Sequence, residues 1–349
     1  MEKIFARISQ VSATTVLLLL LATVAVLYWS AKPALEAFGA HFLIDPRWGV
    51  EVPVDGEGNE VKQTLNASGQ ADGVRRVDAG VDEISMDDEE VPLEDEMNGE
   101  TISMDEGEEL ILGMDEDELE TREVYGGLVP ILGTLFSTTL AMLVAVPIAM
   151  GIAVFLSELA PQWLGKPVGV AIELLAAIPS IIYGMWGLFF FGPFIASIFG
   201  GSSVSLLVAG LVLAIMIIPF MAALSRDAIN ITPDVLKESA YAVGATKFEV
   251  IKDIVFPYAK AGILGSMIIS LGRALGETMA VAFVIGGIFS LPEKLTDPTV
   301  SIPVVLANNF AESSGLSLSA LYYLAFVLFL VSFLVIFAAK HYFLRRVKL

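Results

Sequence analysis

Three ionisable side chains, Glu173, Arg273 and Glu277, fall inside the long apolar runs of this 349-residue chain. A charge at the centre of a bilayer costs about 2.5–3.5 kcal/mol on insertion scales, so each needs a functional or structural reason. Arg273 and Glu277 stand four apart in Gly272-Arg273-Ala274-Leu275-Gly276-Glu277-Thr278. That spacing puts them on one face of a continuous helix. A guanidinium stays charged and presents a planar fork that donates two hydrogen bonds to two oxygens, which suits phosphate. The flanking glycines let a helix or a substrate approach the backbone closely. The chemistry expected of the pair is attraction of the anion by Arg273, with Glu277 competing for the guanidinium and aiding release. The plainer alternative is an intrahelical pair that neutralises itself. Glu173 lies nearer one end of its run and reads as a structural or interfacial acid.

Membrane spans must position these groups. The chain is 55% hydrophobic, above the 45–50% or so of soluble domains. About 20 apolar residues of helix are needed to cross a bilayer core. Six stretches qualify: residues 11–29, 128–156, 168–191, 204–224, 262–289 and 320–339. The first is too long for a signal-peptide core and lacks a small-residue cleavage site, so it reads as a retained helix. Gly192-Pro193 and the Gly200 to Ser203 stretch read as loop between the third and fourth spans. Arg273 is expected near mid-membrane, 11 residues into the fifth span.

An even number of spans puts both termini on one side. Lys3 and Arg7, the cluster Arg226, Lys237, Lys247, Lys252 and Lys260, and Lys340, Arg345, Arg346 and Lys348 all fall on that side. Positive charge assigns it to the cytoplasm.

The net charge of −20 is local in origin. Of 40 acidic residues, 27 lie between Asp45 and Glu123, with 5 of the 20 basic ones. Residues 45–124 thus form an acidic, extracytoplasmic insert, expected to be disordered because it buries too little apolar surface. Ile84-Ser85-Met86-Asp87-Asp88 recurs in it as Ile102-Ser103-Met104-Asp105-Glu106. Its field repels anions, and a solvated tail is its plainest reading. The chain organisation is therefore a first helix and loop start in 1–44, the insert in 45–124, and a five-helix core in 125–349. With no cysteine, and with His41 and His341 far apart in sequence, no metal site is expected. No phosphate-binding loop of the G-x-x-x-x-G-K-[ST] type occurs, so no ATP hydrolysis of that kind is expected of this chain. No catalytic residue and no nucleic-acid partner are expected.

The stretch from Thr232 to Pro257 is the most specific in the chain. Thr232-Pro233 reads as an N-cap and first turn, and Gly244 suits a helix end with positive φ. A second helix is expected over 247–255, stopping near Pro257. This loop resembles that of bacterial ABC importer permeases, which carry Glu-Ala-Ala, three residues, Gly, nine residues, then Ile-x-Leu-Pro. Glu238, Ala240, Gly244, Ile254 and Pro257 match; Ser239 and Phe256 depart mildly. The Tyr125 to Pro130, Ile172 to Gly184 and Gly272 to Thr278 stretches narrow the likeness to the PstC-type permeases of phosphate-specific importers.

The resemblance implies an all-α integral inner-membrane protein with six transmembrane helices and the type I importer (MetI-like) fold. The implied function is that of a permease subunit of an ATP-driven phosphate importer. The alternative is a permease of the same build for sulfate, molybdate or a polar solute. It further implies a PstA-type sister permease, two PstB-type ATPase subunits seated on the loop, and a PstS-type external phosphate receptor. ATP and Mg would be used by the ATPase partners, with no cofactor bound by this chain. The long acidic insert departs from the family pattern.

Overall fold

The computed structural model describes residues 2–53 and 121–347. It divides into two units, Met1–Gly49 with Tyr125–Leu349, and Val50–Val124. Two strands, β1 (Trp48–Pro53) and β2 (Thr121–Tyr125), pair in a two-stranded sheet. The expected disorder of the acidic insert, its repeat and its solvated role fall on residues 54–120, outside the described residues.

The first unit is helical. Six of its segments are long and apolar enough to cross a membrane: Arg7–Leu43, Leu128–Leu159, Ser180–Phe199, Leu206–Asn230, Lys247–Leu275 and Gly315–His341. The centre is α6 (Leu206–Asn230), packed against α2 (Leu128–Val154). On α2, Ala141, Ala145, Ala149 and Ala153 are fully buried at a spacing of four. Lipid gives helices no hydrophobic reason to associate, so a seam of small side chains that permits close packing carries the contact. On the partner, Gly210 receives Leu140 against its backbone, leaving no room for a Cβ. By contrast α1 (Glu2–Phe38) is exposed from Arg7 to Thr23 and meets α12 (Gly315–Val347), with Tyr28 edge-on to Phe326.

Two expected spans are corrected. The stretch over 168–191 is not one span. It is the end of α3 (Gln162–Ala176), a break at Ala177 to Pro179, and then α4 (Ser180–Trp186). Pro179 drives the residue before it out of helical geometry, and 15 residues of α3 make only about 22 Å of helix. The span instead runs on through a π-helical turn at Gly187–Phe191 into α5 (Gly192–Phe199). Gly192-Pro193 is therefore helical, because Pro193 sits in the first turn of α5, where its missing N–H costs nothing.

The stretch over 262–289 is also broken. α9 (Phe256–Leu275) ends at Gly276, and the short α10 (Met279–Ala282) follows. The chain then makes a long irregular return to α11 (Ile302–Asn309). This return is tied to the bundle by backbone bonds, among them Leu206 N–H to Asp297 O (3.0 Å) and Leu207 N–H to Leu295 O (2.7 Å). Thr134 Oγ1 on α2 accepts from Ile302 N–H at 2.9 Å. Non-helical backbone persists at membrane depth only where protein buries it or where it lines a wet cavity.

A polar knot closes the N-terminal end of α2. Phe42 stacks on Tyr323 (centroids 4.3 Å apart), whose hydroxyl donates to Gly39 O at 3.0 Å. Phe42 O accepts from Gly127 N–H (2.6 Å) and Asp45 O from Leu128 N–H (3.2 Å), satisfying donors that the helix start would leave orphaned. The buried Asp45 carboxylate accepts from Arg47 N–H (2.9 Å), Nε (3.0 Å) and Nη2 (2.7 Å). Arg47 thereby holds the Asp45 carboxyl below its ordinary range, outweighing the opposing effect of burial. A depressed folded pKa gives stability that is complete above the unfolded value, about 3.9, and is lost as pH falls through the folded one. Asp45→Asn is expected to cost about 1.5–3 kcal/mol at neutral pH, as for hydrogen bonds to charged groups. It is also expected to flatten the acid limb of stability below about pH 4. Thermal unfolding in detergent across pH checks both.

Candidate translocation and coupling sites

Arg273 lies in the last turn of α9, half-buried. Its guanidinium carbon sits 5.1 Å from the centroid of the Phe220 ring on α6, within the range of a cation–π contact. Tyr183 of α4 is within electrostatic reach. The expectation that Arg273 and Glu277 share a helix face is corrected. Gly276 caps α9 between them, so Glu277 leaves the helical spiral. Its carboxylate turns to the start of α10, where Oε1 accepts from Ala280 N–H at 3.2 Å. Among the described residues no ion pair joins Arg273 to a carboxylate. The self-neutralising intrahelical pair is thus not what the geometry builds.

A guanidinium whose carbon lies over an aromatic ring keeps N–H groups that the ring does not occupy. Arg273 is therefore held on one side while its fork can still donate to an oxyanion. Its place is further along than the sequence implies. The helical segment begins at Lys247, not near Gly262, and Arg273 stands about 25 Å beyond Phe256 at 1.5 Å per residue.

The loop between α6 and α9 forms an elbow at the other end of the bundle. It comprises α7 (Asp234–Ala242), a turn, and α8 (Lys247–Val250). Gly244 has φ +91°, a conformation costly for any residue with a Cβ. Its N–H reaches Tyr241 O (3.0 Å), and Ala245 N–H reaches Ala240 O (3.1 Å), which closes the α7 C-terminus.

Two local expectations change. The N-cap of α7 is Pro233, and Thr232 is buried behind it. Pro257 does not stop the second helix. A π-helical turn at Ile251–Val255 carries α8 into α9, with Pro257 in the first turn of the new register. The extra residue of a π-turn relieves the clash a proline would otherwise make. A device the sequence reading missed is the capping box of α8. Thr246 N–H donates to Glu249 Oε2 (2.7 Å), while Glu249 N–H donates to Thr246 Oγ1 (3.4 Å). The Thr-x-x-Glu spacing was its signal.

The family-motif residues lie together on this elbow. Glu238 is exposed on α7, Gly244 is at the turn, Pro257 is exposed at the start of α9, and Ala240 and Ile254 are half-buried between them. Ala240, Gly244, Ile254 and Glu249 line a groove of about 380 Å³. Val243 of that groove is 86% exposed, and elsewhere on the elbow Phe248 is 72% and Val235 70% exposed. An exposed face this apolar marks a surface that packs against something else. Beneath it, Val250, Val255, Ala259 and Ile263 pack with Ala153 of α2 and Ile229 of α6 in a core of their own.

Two ion pairs lie at this end of the bundle, one joining α3 to α6 and the other joining the elbow to the end of α2. Glu173, on α3 and not inside a span, accepts from Arg226 Nη2 at 2.6 Å, which bears out its reading as a structural acid. Gly169 opens the space for that guanidinium: a Cβ there would lie 2.5 Å from Arg226 Nη1. Lys237 of α7 donates to Glu158 at 2.6 Å.

Comparison with known proteins matches this build. The family described as binding-protein-dependent transport system inner membrane component matches residues 145–349. The phosphate transport system permease protein PstC of Pasteurella multocida is 52% identical over 62% of this chain and 73% of its own length. PstC of Haemophilus influenzae is 48% identical over 63% and 76%. The probable PstC of Methanocaldococcus jannaschii is 36% identical over 66% and 78%. Among solved structures, an inward-facing methionine ABC transporter, MetNI, gives a TM-score of 0.52 at 20% identity over 62% of this chain and 94% of that chain. The shared fold is that of type I ABC importer permeases. This chain, with six apolar helices of which α6 is the centre and an elbow that carries the family motif, belongs to the inner-membrane components of binding-protein-dependent transport systems.

Proposed function

We propose that this chain is a membrane-spanning permease subunit of an ATP-driven phosphate importer, forming half of its translocation pathway. The likeness to phosphate permeases at up to 52% identity supports the substrate. The observation that carries the chemistry is Arg273. It is a guanidinium without a carboxylate partner among the described residues, lying over the Phe220 ring near the break of α9. A dianionic phosphate passing that break meets a fork able to take two of its oxygens. Glu277, one residue past the helix cap, is close in sequence and free of an ion pair among the described residues. Its role is to compete for the guanidinium and shorten the anion's stay.

In this reading the elbow faces the cytoplasm with both termini, and the acidic insert faces outward. The elbow's apolar knob seats in a cleft of a PstB-type ATPase subunit, which uses ATP and Mg. A PstA-type permease completes the pathway, and a PstS-type receptor delivers phosphate from outside. Labelled phosphate uptake by cells expressing the assembled importer is expected to resist a hundredfold excess of sulfate or molybdate. It is expected to fall when unlabelled phosphate is added. Equal competition by sulfate would assign the chain to another anion.

A further inference from the structure

The pair Lys237–Glu158 joins the elbow to the adjoining end of α2 through residues that the family motif does not include. The elbow's first helix has no buried residue of its own. Its apolar anchorage is partial, with Ala240 packing against the elbow core, so the polar groups of its neighbours and its ends carry much of the rest. Lys237 points back from α7 into the bundle, where its side chain is 17% exposed, and meets Glu158, 9% exposed, at 2.6 Å. Asp234, one turn earlier on α7, stands 3.7 Å from the same ammonium but is itself 87% exposed. The more buried partner is therefore Glu158, and removing either member would leave a part-buried charge with weaker compensation, which for Lys237 would be the exposed Asp234.

Glu158 belongs to the π-helical turn Phe155–Leu159 that continues α2 without a break. α2 is the helix whose alanine seam lies along α6. It is close-packed along that seam on both sides of its internal Pro147, so a shift of one end is passed along the seam. At 27 residues it runs about 40 Å. Its other end holds the return segment through Thr134 Oγ1 and Ile302 N–H. There Val300 O presses on Gly133 so closely that no Cβ would fit. The same return segment leaves α10, the short helix that follows the break of α9 at Gly276, and its two ends are joined by Thr299 N–H to Ile285 O at 3.0 Å. A push on α7 thus has a continuous mechanical route, Lys237 to Glu158 to α2 to Ile302, that reaches the break carrying the proposed anion site.

We infer that Lys237 and Glu158 form a positioning pair that transmits movement of the elbow to α2, and through it to the translocation break. The inference rests on the proposal that the elbow seats an ATPase subunit. Neither residue touches substrate. What the pair does is fix the angle and depth at which α7 meets the bundle, so that displacement of the knob becomes displacement of a helix and is not lost as a local tilt.

The test uses the complete importer reconstituted in vesicles, in four forms: wild type, Glu158→Gln, Lys237→Met, and the reversed pair Glu158→Lys with Lys237→Glu. Three readouts are taken from each: thermal stability, phosphate moved per ATP hydrolysed, and cross-linking of Val243→Cys on the knob to the ATPase partner. The last is clean because the chain has no cysteine of its own. In the single variants the cross-link is expected to form, while phosphate moved per ATP falls at least tenfold. The reversed pair is expected to recover at least a third of the wild-type ratio. A purely structural pair would lower thermal stability and leave the ratio unchanged in the molecules that survive. That result overturns the inference, as does a single variant with the wild-type ratio. If the reversed pair fails to assemble, the ratio in the two single variants decides alone. Absence of the cross-link in the wild-type background removes the elbow-docking reading itself. A normal cross-link with a normal ratio in Glu158→Gln removes only the transmission role.

Discussion

Arg273→Ala is expected to reduce phosphate uptake below about one hundredth of wild type while the importer still assembles. The size follows from what is removed. A guanidinium that makes two charge-assisted hydrogen bonds in a site of reduced polarity is worth about 3–5 kcal/mol when truncated, and each 1.4 kcal/mol is a factor of ten. Assembly should survive, because Arg273 makes no ion pair among the described residues and its visible contact is the Phe220 ring. Losing that contact costs about 0.5–2 kcal/mol, well within what a large helical bundle tolerates. Arg273→Lys separates charge from geometry. It keeps the attraction but loses the fork, and uptake is expected to fall about tenfold. Initial rates of labelled phosphate entry, normalised to copurified complex, check both. Uptake at the wild-type rate in Arg273→Ala would remove Arg273 from the pathway.

Val243→Asp is expected to uncouple the chain from its ATPase partner without disturbing its own fold. Val243 is 86% exposed at the apex of the elbow. In the isolated chain an aspartate there stays in water, and such surface changes stay within about 0.5 kcal/mol. In the complex the same carboxylate is forced into an apolar cleft. Residues at the centre of an interface cost 2 kcal/mol or more when their contact is lost, roughly thirtyfold in affinity, and a desolvated unpaired charge adds to that. The expectation is an unaltered melting profile for the chain, loss of the copurified ATPase subunit, and uptake at background. Retained ATPase and normal uptake would mean that the apolar knob does not seat in a partner. Gly244 offers a complementary probe, since any side chain at φ +91° strains the turn itself.

The sequence made the elbow legible because its shape is written locally. Gly244 needs its positive φ, and Glu238, Ala240, Ile254 and Pro257 stand at fixed offsets from it. The membrane bundle was legible for a similar reason, since the length and apolarity of a span are one-dimensional properties. What escaped were features that proline and glycine do not decide alone. Pro193 and Pro257 read as stops, yet each enters the first turn of a helix after a π-helical turn, where the ring is harmless. Pro179, by the same local rule, really does break the chain. The end of α9 had a signal in Gly276, but the apolar run of 262–289 outweighed it. Contacts between distant residues carried no pattern at all. Glu173 meets Arg226 across 53 positions, and Lys237 meets Glu158 across 79. Phe220 under Arg273 belongs to the same class. A charged residue in an apolar run announces that a partner exists, but only packing says which.

The proposal makes phosphate movement depend on a motor held on other chains, acting through the elbow. The most direct measurement is labelled phosphate entry into vesicles holding the purified importer, with ATP supplied on the elbow side and vanadate as inhibitor. The account predicts entry that requires ATP, stops with vanadate, and is absent when this chain is reconstituted alone. Vanadate-insensitive entry through this chain by itself would contradict it.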